Sequence, residues 1–126
     1  MKLRLLTAVA LLVSGFVHLW LWFDVFHEED VVGPAFLLNA AASVVIAALL
    51  LRWRHWAPPL LAMGFGASTL GAFLVSTTSS GLFGVHQRWE GGWVFLAAAS
   101  EVLALIGGAA VLLRERTPSS VEQLQH

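Results

Sequence analysis

The chain has 126 residues, 58% of them hydrophobic and 12% charged. Its 11 glycines bring the apolar share to roughly two thirds, above the ~45–50% of soluble domains, which argues against a soluble fold. This length makes one domain, the absence of cysteine excludes disulfides, thiolate metal sites and thiol redox relays, and a net charge of -1 without a basic block excludes nucleic acid as a partner.

Crossing a hydrocarbon core about 30 Å thick takes about 20 mostly apolar helical residues. Four segments meet that requirement, at 5–23, 31–51, 57–75 and 92–113. The first follows Lys2 and Arg4, a start that also suits a secretory leader with a cleavage site at Val13-Ser14-Gly15. Its apolar run, however, continues past His18 to full spanning length. Thr7, Ser14, Gly15, His18 and Trp22 fall on one helical face of it. The connection that follows, His27-Glu28-Glu29-Asp30, is acidic.

The second span opens on Gly33-Pro34 and carries Asn39 and Ser43 four residues apart. Arg52-Trp53-Arg54-His55-Trp56 then reads as an interfacial anchor, with basic groups near anionic lipid and indoles among headgroups. Pro58-Pro59 starts the third span, whose Gly64, Ser68 and Gly71 form a stripe of small residues with Thr69 and Ser76 beside it. The last connection holds His86, Arg88, Trp89 and Glu90, and Gly91-Gly92 opens the fourth span, where Ala97, Glu101, Ala104 and Gly108 align. Residues 1–116 thus form a four-span membrane domain, and the polar tail 117–126 is expected to be disordered.

Basic residues near span ends are retained on the cytoplasmic side. Lys2, Arg4, Arg52, Arg54, Arg114 and Arg116 fall on one side under this reading and only Arg88 on the other. The expected fold is all-α, an integral membrane four-helix bundle, up-down-up-down, with both termini cytoplasmic and a multi-pass location in the cell membrane. Trp20, Trp22, Trp89 and Trp93 mark the outer boundary, and Trp53 and Trp56 the inner one.

In this arrangement Glu101 lies nine residues into its span, on the order of 13 Å below the outer boundary at 1.5 Å per residue. Ionised and unpaired there it would cost several kcal/mol, so it needs a partner, a proton or water. His18, Asn39, Ser68 and Thr69 come to the same outer half. His18, Asn39, Ser68 and Glu101 are therefore the candidate binding residues, for an ion, a quinone-like headgroup or a polar lipid headgroup. The structural alternative is a hydrogen bond from Glu101 to His18 or Asn39 that only locks the bundle.

A weaker signal is metal binding by His27, Glu28, Glu29, Asp30, His86 and Glu90, against a plainly solvated acidic surface. Haem between two histidines is disfavoured, because it needs a second imidazole facing His18 at similar depth and no other span contains histidine. No phosphate-cradling loop, nucleophile elbow or catalytic histidine pair is present, so no catalytic residue and no cofactor is assigned.

Ser14-Gly15-Phe16-Val17-His18-Leu19, Gly33-Pro34-Ala35-Phe36-Leu37-Leu38-Asn39 and Gly81-Leu82-Phe83-Gly84 together resemble uncharacterised small four-helix membrane proteins of high-GC bacteria, in which a Gly-x-x-His-Leu start and a late Glu recur. The likeness runs from about residue 10 to 113, and it implies a four-helix membrane fold without an activity. Three functions follow from the residues. One is a membrane protein binding a small polar or lipid-soluble ligand. Another is an accessory or assembly subunit of a larger membrane complex, with a membrane-protein partner. The third, an oligomeric small transporter, is opposed by the one-sided charge bias and by an acid in the fourth span.

Overall fold

A computed structural model describes the backbone of residues 2–82, 85–87 and 91–125, and their side chains except those of Val25 and residues 116–125. Among these residues the protein is an all-α bundle of four helices: α1 (Lys2–Leu21), α2 (Val32–Arg52), α3 (Ala57–Ser76) and α4 (Gly92–Gln125). Each contains a stretch long and apolar enough to cross a membrane. Leu6, Leu38, Leu60 and Leu103 leave large apolar side chains exposed on all four helices, a surface suited to acyl chains and not to water.

Local chemistry sets the helix ends. α1 runs directly into a π-helical turn, Trp22–Phe26, so the first helical run passes the expected end at 23. Pro58 and Pro59 sit in the first turn of α3, where missing N–H groups leave no hydrogen bond unmade. At its other end Ser76, Thr77 and Thr78 each donate a hydroxyl to the carbonyl three residues back, satisfying the orphan acceptors of the last turn. The helical backbone of α4 extends to Gln125, through the tail expected to be disordered. Glu122, Gln123, Leu124 and Gln125 are good helix formers there, and polarity does not by itself break a helix. Arg88, Trp89 and Glu90 lie outside the described residues, as do Phe83 and Gly84.

α1 packs against α2 and α4, and α3 against α4; α2 and α3 approach each other lightly, and among the described residues the backbones of α2 and α4 do not come close. Small residues permit the close approaches. A Cβ on Gly15 would collide with Ser43, and one on Gly66 would come within 2.5 Å of the Glu101 carbonyl oxygen. The expected stripes hold for most of their members on α1 and α4, where Thr7, Ser14, Gly15 and His18, and Glu101, Ala104 and Gly108, are buried, while Trp22 and Ala97 are half-buried. On α3 the expectation fails: Gly64 is exposed, and open space surrounds both Gly64 and Gly71. Ala62, Phe65 and Gly66 form the packed face instead, because α3 has small residues on several sides and phenylalanine supplies the buried area.

The two halves of the bundle differ. One half holds the apolar core, in which Ala8 and Leu11 meet Ile46, Ala47 and Leu50, Ala62 and Phe65, and Ala104. Its end is closed by Arg4, only 2% exposed, whose guanidinium reaches the carbonyls of Leu50, Trp53 and His55 at 2.9 Å and the Glu115 carboxylate at 3.0 Å. All three nitrogens of the guanidinium thereby find acceptors. One residue so ties the start of α1 to the negative end of α2, to the connection into α3 and to α4. The other half holds a partly open cavity.

Candidate functional site

The cavity measures about 320 Å³ and draws its lining from all four helices and the 77–87 connection. His18 comes from α1, Asn39 from α2, Ser68 and Thr69 from α3, and Glu101 from α4. The four residues singled out for binding therefore share one cavity. Most of the remaining lining is apolar, with Phe36, Ala72 and Ala98 among it.

His18 owes its pose to its own helix and to an aromatic cover. Its Nδ1 lies 2.7 Å from the Ser14 carbonyl oxygen, four residues back. A carbonyl only accepts, so Nδ1 carries the proton and Nε2 presents its lone pair in the neutral ring. Phe36 lies over the imidazole at 4.9 Å between centroids, and Phe26 packs on Phe36 at 4.6 Å. The π-helical turn delivers Phe26 to this position, and Gly33 lets α2 begin against the Phe26 carbonyl, 2.5 Å from where a Cβ would stand.

Glu101, 2% exposed, directs Oε1 to within 3.6 Å of His18 Nε2. That separation exceeds a hydrogen bond, so neither group uses up the other's capacity. The edge of the imidazole can accept a proton and the carboxyl can supply one, which makes the two a pair able to hold a proton between them. Asn39 does not reach Glu101. Its Nδ2 donates instead to Thr69 Oγ1 at 2.9 Å, linking α2 to α3, while its Oδ1 is buried without a hydrogen-bond partner. Ser68 donates to the Phe65 carbonyl of its own helix at 3.3 Å, and Ser76 likewise to Phe73.

The 77–87 connection covers one end of the cavity with Leu82, Val85 and Gln87. Leu82 and Val85 exchange backbone hydrogen bonds at 2.8 Å, and the Gln87 N–H bonds the Ser76 carbonyl at 2.9 Å. Gly81 enters this fold at φ 68°, where a Cβ would also stand 2.7 Å from the His86 ring. His86 is held there by its Nε2 donating to the Ser79 carbonyl at 3.1 Å.

Among the described residues His86 joins no metal-ligating group with the acidic connection. His27 lies 3.8 Å from Glu28, which is itself 89% exposed, and among the described residues no three metal-ligating side chains converge. Glu29 and Asp30 are exposed, and Glu90 lies outside the described residues.

Sequence reasoning gathered the cavity residues but missed two features. Arg4 was legible only as a positive charge, although a cation inside an otherwise apolar span signals a partner. The pairing of Asn39 with Thr69 had no signal beyond their common depth. Comparison with family models, with curated proteins and with solved structures returns no match, so inference about function starts from this geometry.

Proposed function

We propose that this chain is a multi-pass cell-membrane protein, arranged up-down-up-down with both termini cytoplasmic, that binds a small lipid-soluble molecule through a polar group in its outer half. One observation carries the reading: His18 and Glu101, both costly to bury, stand 3.6 Å apart on the wall of an otherwise largely apolar cavity of about 320 Å³. A packing lock would draw the two into a direct hydrogen bond and close the space around them. A bare ion is less well supported, because among the described residues no third carboxylate or imidazole joins the pair.

The test is a calorimetric titration of a short-chain benzoquinone into the purified protein in lipid nanodiscs, for wild type, Glu101→Gln and Ala98→Trp, the last filling the cavity. Saturable binding that weakens in both variants is expected. Equal binding by all three removes the cavity from the explanation. If mild-detergent purification recovers a stoichiometric protein partner and no probe binds, the chain is an accessory subunit.

A further inference from the structure

The donors and acceptors on the cavity wall specify the chemistry of an occupant. Asn39 Oδ1 is buried and accepts nothing, while its amide nitrogen is committed to Thr69. A carbonyl oxygen accepts only, so whatever completes it must bring an O–H or N–H. The nearby hydroxyls of Ser68 and Ser76 spend their protons on their own helix.

Glu101 stands on α4 and Asn39 on α2, two helices whose backbones do not approach each other closely among the described residues. The two polar positions therefore enter the cavity from different helices, and most of the remaining lining is apolar. At the Glu101 wall, the His18 lone pair and the carboxyl together offer one donor and more than one acceptor, and with a single proton shared between them they carry no net charge. Nothing there compensates a charged ligand. A volume of about 320 Å³ is near the small end of ligand pockets (~300–1,000 Å³) and suits a one-ring body.

We propose that the cavity takes a neutral, lipid-soluble aromatic diol or a close analogue, a flat apolar body whose hydroxyl donates to Asn39 Oδ1 while its opposite polar group sits between His18 and Glu101. The inference rests on the reading of the cavity as a binding site. It concerns binding alone, and no redox step is part of it.

The test uses the full chain in phospholipid nanodiscs under anaerobic conditions, with empty nanodiscs as the blank for partitioning. The probes are tert-butylhydroquinone, its dimethyl ether and tert-butylbenzene, which keep one body and remove first the donors and then the oxygens. The diol should bind roughly tenfold more tightly than the ether, the scale of satisfying one buried acceptor. Asn39→Leu should shrink that difference, the second hydroxyl still meeting His18, and leave the ether within about twofold of its wild-type affinity. Should the variant fail to fold, the diol-to-ether ratio in the wild type decides. Saturable and equal binding of diol and ether, lost in Ala98→Trp, overturns the hydroxyl assignment and leaves the binding cavity standing. No saturable binding of any probe overturns the cavity reading, and the ligand class with it.

Discussion

Replacing Arg4 by methionine keeps an apolar stem of similar reach and removes every donor. The carbonyls of Leu50, Trp53 and His55 and the Glu115 carboxylate then lose their shared partner. Breaking one side of a buried charge pair costs about 3–5 kcal/mol. Two features move this case to the lower end. The Glu115 side chain is 35% exposed and keeps Arg54 at 3.3 Å, and Trp53 lies where water can reach its backbone. A loss of about 3 kcal/mol follows, more than a hundredfold in the folding equilibrium. Reversible unfolding in mixed detergent-lipid micelles, titrated with sodium dodecyl sulfate, measures it. The double variant Arg4→Met/Glu115→Gln should recover part of the loss, because it removes the stranded carboxylate. A loss below about 1 kcal/mol for Arg4→Met would show that the closure adds no stability and refute the reasoning.

Three further outcomes are expected. Leu11→Ala empties a fully buried position of the apolar core, 0% exposed, and should cost about 2–5 kcal/mol in the same unfolding assay. Gly81→Ala forces a side chain into the left-handed region and against His86; a loss of about 1–2 kcal/mol and faster amide exchange in the 77–87 connection should follow, and unchanged exchange would contradict the role of that turn. Because the chain has no cysteine, Glu28→Cys and Ser120→Cys each provide a single thiol; an impermeant maleimide applied to intact cells should label the first only, and the reverse pattern would invert the proposed orientation.

The fold was legible because spanning length, Pro and Gly punctuation and apolar runs are one-dimensional properties. The facing stripes of α1 and α4 were legible as well, since each has one small or polar side. On α3, Gly64 and Gly71 share a helical face as small residues should, yet Gly66, two residues away, is the one against the Glu101 backbone. Small residues on several sides give no unique answer until the neighbouring helix is in place. The candidate site was legible in its membership, because His18, Asn39, Ser68 and Glu101 reach one depth by counting 1.5 Å per residue. Its pairings were not. Whether Glu101 meets His18 or Asn39 depends on the rotation of helices that are far apart in sequence. The cavity itself is a difference between packed volumes that no residue spacing encodes. The closure by Arg4 likewise needed the end of α2 and residue 115 brought to one place.

The most direct test of the binding cavity is reaction of Glu101 with a lipid-soluble carbodiimide in membranes, read by mass spectrometry of the peptide that carries it. Glu101 should be modified in the wild type and protected in the folded Ala98→Trp variant, where the added ring occupies the space before it. Equal modification of both, or none in the wild type, would mean that the carboxyl does not face a space that a lipid-borne molecule can enter.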